Sequence, residues 1–185
     1  MGTPINFPQE GIKGINRVMV IGCCGAGKST ITLKLKNDLE LPVFHLDKLF
    51  WKAGWEQKAL EEFRAEHEQI IKNSHWVIDG NYASTMSERY EKADLVIFMA
   101  LPRWQCLWGV IKRRLTYNKQ TRPDITEGCP ERFDWEFYKY VWNFHKTQLP
   151  KIEAIINTDN SKKLIYRITS HKQANEFVRE FGNAK

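Results

Sequence analysis

Long apolar runs are absent from this chain. Nothing approaches the ~20 consecutive apolar residues that a membrane-spanning helix needs. The first residues lack the charged-then-apolar pattern of a secretion signal, and Asn6 stands where a myristoylation signal carries Ser or Thr. Cysteine is sparse: four residues, at positions 23, 24, 106 and 129, with no Cys-x-x-Cys pair. That spacing argues against a disulfide framework and against a zinc site, so a cytoplasmic location is expected. Repeats and low-complexity tracts are missing too, as is the Asn-Lys-x-Asp motif of guanine-reading proteins. No helix-turn-helix is evident and the basic residues form no single long stripe, which argues against a nucleic-acid-binding regulator.

What remains is an ordinary globular composition. At 185 residues, with 42% hydrophobic and 27% charged residues, the chain is expected to form one domain with a substantial core. The net charge of +6, denser at Lys112-Arg113-Arg114 and Ser161-Lys162-Lys163, suits a phosphate-bearing ligand without demanding nucleic acid. Residues 1–16 hold three glycines and two prolines and are expected to be a flexible lead-in.

The most informative stretch is Gly22-Cys23-Cys24-Gly25-Ala26-Gly27-Lys28-Ser29, which fits the phosphate-binding loop pattern G-x-x-x-x-G-K-[ST]. Its flanks agree. Arg17 to Ile21 is a short, partly β-branched apolar run, and Ile31, Leu35 and Leu39 recur at helical spacing behind it. Strand, glycine loop and helix are the context the motif requires. Glycines bring backbone N–H groups against phosphate oxygens, and the helix N-terminus adds partial positive charge there. The expected ligands are ATP and Mg²⁺. Lys28 would reach the β- and γ-phosphates and Ser29 would ligate Mg²⁺. Thr30 either adds a hydroxyl near the α-phosphate or is a plain helix residue, and Cys23 and Cys24 contribute backbone N–H groups.

Further strands are expected at 43–47, 76–80, 94–101 and 163–168. Helices are expected at about 28–40, 57–73, 84–92, 103–117, from 131 to a break at Pro150, and at 171–181. Five apolar strands alternating with helices predict an α/β, three-layer sandwich around a five-stranded parallel sheet. Asn118 to Pro130 is polar, with two prolines and a glycine, and is expected to be a mobile loop.

Val77-Ile78-Asp79-Gly80 resembles the apolar-Asp-Gly strand end of adenylate-kinase-like proteins, in which the aspartate holds a Mg²⁺-bound water. Arg113 and Arg114 follow the fourth strand where that superfamily carries lid arginines. More narrowly, the chain is similar to the DNA topology modulation protein group of adenylate-kinase-like P-loop proteins. The resembling stretches are His45 to Trp51, Trp76 to Tyr82, Leu101 to Trp104, Thr121 to Asp124 and Gly128 to Glu131. The resemblance implies that about 48–75 binds an acceptor and about 113–131 forms a lid. One departure stands out. Adenylate kinases follow Asp-Gly with Phe-Pro-Arg, whose arginine grips an acceptor phosphate, whereas here Asn81-Tyr82-Ala83 follows. Arg64 and Arg89 are either substitutes for that grip or solvent-exposed helix charges.

The position of Asp47, read as the end of strand two, resembles that of the acidic residue that related nucleoside and shikimate kinases turn toward the acceptor hydroxyl. Asp47 is either the base for that hydroxyl or an N-cap. Asp79 is either a Mg²⁺ second-shell residue or a turn aspartate. Arg113, Arg114 and Arg122 are candidates for gripping phosphate oxygens through paired N–H donors, or surface charges. His45 shares a strand face with Asp47 in this reading. Phe50, Trp51 and Trp55 either stack a flat substrate or pack the core. The expected activity is transfer of the ATP γ-phosphate to a small acceptor, with a hydroxyl such as a nucleoside's favoured. A nucleoside monophosphate kinase and a non-enzymatic ATP-dependent nucleic-acid-binding regulator are the alternatives. Oligomeric state is left open.

Overall fold

The computed structural model describes residues 14–157 and 163–183. The expected lead-in lies outside them apart from Gly14, Ile15 and Asn16, as do Ser161 and Lys162 of one basic patch. The first unit is β1 (Arg17–Gly22), the glycine loop and α1 (Lys28–Leu39). Then come β2 (Val43–His45), α2 (Leu46–Phe50) and a small antiparallel pair, β3 (Trp51–Lys52) and β4 (Glu56–Gln57), closed by a 3-10 turn at Ala53–Trp55. The chain continues through α3 (Leu60–Ile71), β5 (Trp76–Asp79), α4 (Ala83–Lys92), β6 (Leu95–Met99) and α5 (Arg103–Tyr117). After a long loop it closes with α6 (Trp135–Thr147), α7 (Leu149–Asn157), β7 (Leu164–Ile168) and α8 (His171–Asn183).

The main sheet has five parallel strands in the order β2-β5-β1-β6-β7, as the apolar runs predicted. Val18 to Ile21, Trp76 to Ile78 and Leu95 to Met99 are buried on both faces, which requires helices above and below. Each such Val, Ile, Leu or Phe contributes about 1.5–3 kcal/mol of burial. Chain order reverses at β1, which lies between β5 and β6. In open parallel sheets the crevice at the carboxyl ends beside such a reversal is where ligands bind, and the glycine loop emerges there.

Two glycines set how tightly that loop lies on α5. A Cβ on Gly25 would stand 2.1 Å from the Cys106 carbonyl oxygen, and one on Gly109 would stand 2.1 Å from the Gly25 oxygen. Gly25 also has φ of +78°, which L side chains resist.

Two boundaries near the site differ from expectation, and a third agrees. β2 ends at His45, so Leu46 and Asp47 open a helix instead of closing a strand. The aromatic helix starts at Trp135, four residues late, because Glu131 N donates to Gln120 O and Asp134 caps α6 by accepting from Phe137 N at 3.1 Å. Pro150 does break the helix, and it sits in the first turn of α7, where its missing N–H is harmless.

Between α3 and α4, His67 is fully buried against Phe63 and Arg89. Burial, with the charges of Arg89 and Lys92, pushes its pKa down to about 4, although Glu88 faces Nδ1 at 3.6 Å. The unfolded chain takes this proton near pH 6.5 and the folded chain only near 4. Stability is therefore expected to fall as pH drops through that window, by up to about 3 kcal/mol. Urea midpoints at several pH values check this. His67→Gln should show a shallower slope between pH 6.5 and 4, and an unchanged slope would remove His67 from the account.

Candidate active site

The loop from Gly22 to Ser29 curls around its own lysine. Lys28 Nζ donates to Gly22 O at 2.9 Å and to Cys23 O at 3.1 Å. Asn81, from the turn after β5, brackets the first glycine: its Oδ1 accepts from Gly22 N at 3.0 Å and its Nδ2 donates to Gly22 O at 2.9 Å. Cys23 is buried, with its thiol facing Val141 O, while Cys24 faces a cavity. Thr30 is exposed on α1.

The same turn carries Tyr82, at φ +35°, a strained conformation for a non-glycine residue. Its ring packs on Phe50 and Phe63, with centroids 5.0 Å away in each case. Its hydroxyl donates to Asp47 Oδ1 at 2.8 Å. Burial, then the Asp47 charge, pushes the phenol pKa up, so it remains a donor. Asp47 lies in the first turn of α2, and the N-cap residue there is His45, which corrects both the strand-end and the N-cap readings of Asp47.

Arg89 corrects another reading. It is wholly buried, and its guanidinium donates to Gly80 O at 3.1 Å, Asn81 O at 2.6 Å and Thr85 Oγ1 at 2.6 Å. Burial brings its pKa to about 9, so it stays charged at neutral pH. It is thus neither a surface charge nor a grip on an acceptor; it braces the turn that carries Asn81 and Tyr82. Arg64 is tied to Ser84 O at 2.9 Å.

The loop between α5 and α6 supplies residues that sequence reasoning passed over. Ser29 Oγ donates to Asp124 Oδ2 at 2.7 Å. Asp124 also takes Arg122 Nη1 on both oxygens at 2.8 Å. Glu131 forms ion pairs with Arg122 at 2.6 Å and Arg113 at 2.9 Å, so two guanidiniums and two carboxylates offset one another. Burial would raise the Asp124 pKa, but Arg122, Ser29 and His45 outweigh it and hold it below the usual carboxylate range. Asp79, the strand-end aspartate expected near Mg²⁺, has its carboxylate engaged by His45 Nδ1 at 2.9 Å. Burial works against a charged His45, yet Asp79 and then Asp124 outweigh it and raise its pKa. Asp124 lay within a stretch that carried the family resemblance, but nothing in its spacing linked it to Ser29.

Within this polar loop Ile125 and Cys129 are buried and face the core. The loop rests on the 48–57 segment: Thr126 Oγ1 donates to Lys48 O, Gly54 N to Gly128 O and Trp55 Nε1 to Pro130 O, at 2.8–3.0 Å.

A cavity of about 450 Å³ gathers Lys28, Asp47, Arg113 and Arg122 with aromatic walls from Trp51, Tyr82, Phe137 and Tyr140. Arg114 does not line it; its guanidinium bonds to Asn118 Oδ1 at 2.8 Å. Magnesium prefers hard oxygen donors, and the Ser29 hydroxyl with the Asp124 carboxylate fits that preference. Among the described residues no group of three or more His, Cys, Asp or Glu could hold a metal ion alone, so phosphate oxygens and waters would complete the shell. No helix among them is long and apolar enough to cross a membrane.

Shikimate kinase from Acinetobacter baumannii, solved with shikimate, superposes with a TM-score of 0.58 at 14% identity, over 94% of each chain. Deoxyadenosine kinase from M. mycoides, solved with dATP, gives 0.51 at 13% identity, over 90% of this chain and 99% of that one. The fold is that of the P-loop kinases. At these identities the likeness concerns the fold alone. No protein-family model matches the chain. No curated protein matches it either.

Proposed function

We propose that this P-loop protein is a phosphotransferase that moves the γ-phosphate of ATP to a hydroxyl of a small acceptor. The observation that carries the reading is that Lys28, from the phosphate loop, and the Asp47 carboxylate line one cavity of about 450 Å³. That volume suits a ligand of nucleoside size. In this reading the chain is one kinase-like domain, with the 48–75 segment binding the acceptor and the 113–131 region acting as its lid.

Backbone N–H groups from Gly22 to Ser29 would hold the donor phosphates, and Lys28 would leave its loop carbonyls for the β- and γ-oxygens. Bound Mg²⁺, held by Ser29 with Asp79 or Asp124 nearby, would offset charge on those phosphates. Asp47 would orient the acceptor hydroxyl and take its proton, since Tyr82 occupies only one of its oxygens. Arg113 and Arg122 are placed at the cavity, so they are better candidates than Arg114 for meeting phosphate oxygens there. The closed loop would exclude water from the reacting centre. The turn after β5 weighs against a nucleoside monophosphate acceptor. In place of the Phe-Pro-Arg of adenylate kinases, Asn81 is committed to Gly22, Tyr82 to Asp47, and Ala83 stands at the arginine position.

ATP consumption measured against nucleosides, nucleotides and small alcohols tests the proposal. Turnover is expected with a hydroxyl compound lacking an acceptor phosphate. Turnover only with nucleoside monophosphates would overturn the hydroxyl assignment. No transfer to any acceptor, together with DNA binding that falls steeply with salt, would instead favour the regulator.

A further inference from the structure

The carboxylate that meets the P-loop serine comes from the α5–α6 loop and not from a strand end. Ser29 Oγ donates to Asp124 Oδ2 at 2.7 Å, while Asp79 is buried and engaged by His45. In P-loop proteins the serine hydroxyl and a nearby aspartate together hold the divalent cation. Resting on the reading of the site as an ATP site, we propose that Asp124 is a metal-site carboxylate. It completes the Mg²⁺ position with Ser29 when the α5–α6 loop is closed.

Charge supports this assignment. Arg122 and Arg113 are matched by Asp124 and Glu131, so these two guanidiniums bring no surplus charge to the phosphates as they stand. Polyphosphate seated on Gly22 to Ser29 would face the Asp124 anion directly. A divalent cation between them turns that repulsion into coordination, with oxygen donors of the hardness Mg²⁺ selects. Geometry supports it as well. Arg122 Nη1 spans both Asp124 oxygens at 2.8 Å and fixes the plane of the carboxylate. The loop is fastened to the 48–57 segment through Thr126, Gly128, Cys129 and Pro130. Metal binding is thereby tied to the seating of this loop on that segment.

The test is calorimetric binding of a non-hydrolysable ATP analogue, with and without Mg²⁺, which needs no acceptor and no turnover. Wild type should bind more tightly with Mg²⁺. In Asp124→Asn that Mg²⁺-dependent gain should shrink by roughly 10–100-fold, the usual effect of losing a metal-shell partner, while affinity without Mg²⁺ stays or rises. Ser29→Ala should lose the same gain, and the double variant should lose little more, because both act on one ion. Asp124→Glu keeps the charge and serves if Asn impairs folding; its gain should be reduced but present. A full wild-type gain in Asp124→Asn or an undiminished gain in Asp124→Glu would overturn the assignment, as would an equal loss with and without Mg²⁺. If wild type itself binds no analogue, the ATP-site reading fails along with it, and that result is distinct because it appears before any substitution.

Discussion

Lys28→Met is expected to reduce phosphate transfer by at least roughly 10²–10³, the cost of deleting one preorganised charge-stabilising donor, while the protein stays folded. In the structure the ammonium donates to Gly22 O and Cys23 O. Neither carbonyl is stranded by its loss, since Gly22 O also accepts from Asn81 Nδ2 at 2.9 Å and Cys23 O from Ala26 N at 3.2 Å. The folding cost should be of the order of two hydrogen bonds, about 1–3 kcal/mol. Transfer is different, because the neutral methionine cannot follow the charge that builds on the departing phosphate oxygens. Turnover on the best acceptor, read beside the urea midpoint, separates the two effects. Wild-type turnover would end the case for Lys28 on the phosphates, and a collapsed midpoint would mean that the loop needs its lysine to fold.

The parts of this protein that were legible in the sequence are those whose signals are local. Val18 to Ile21 and Leu95 to Met99 are continuous apolar runs because both of their faces are covered, and the glycine loop is a fixed spacing within eight residues. The site is harder to read because it is assembled across distance. Asp124 meets Ser29 across 95 residues, Asn81 meets Gly22 across 59, and Tyr82 meets Asp47 across 35. No periodicity encodes such meetings. The departure at Asn81-Tyr82 was visible as a missing arginine, but what the two residues do instead required the turn's geometry. Arg89 shows the limit from the other side: a charged residue on an exposed-looking helix gives no sign that backbone carbonyls at 2.6 and 3.1 Å will bury it. Asp47 was misplaced in a strand because β2 is only three residues long and Leu46, fully buried, continues its apolar pattern into α2.

That misplacement sharpens the second large effect, expected for Asp47→Asn. Because His45 is the N-cap residue of α2, the substitution removes no cap and leaves only a modest loss of charge in the first turn of a short helix. Asn still offers an oxygen to Tyr82, so the 2.8 Å contact has a counterpart in the variant. What Asn cannot do is accept a proton from an attacking hydroxyl. A hydroxyl acceptor must lose that proton, whereas a phosphate acceptor is already an anion at neutral pH and would be repelled by a carboxylate beside it. The expected result is therefore a fall in kcat of roughly 10²–10⁴, the range for a positioned acid or base, with ATP affinity by calorimetry little changed. Tyr82→Phe is the companion measurement. It leaves the carboxylate basic but frees its orientation, so kcat should fall by less than in Asp47→Asn while ATP affinity again holds. If Asp47→Asn keeps its kcat on the best acceptor, the carboxylate is not the base. The Tyr82–Asp47 contact then serves only to fasten α2 to the turn that brackets the phosphate loop.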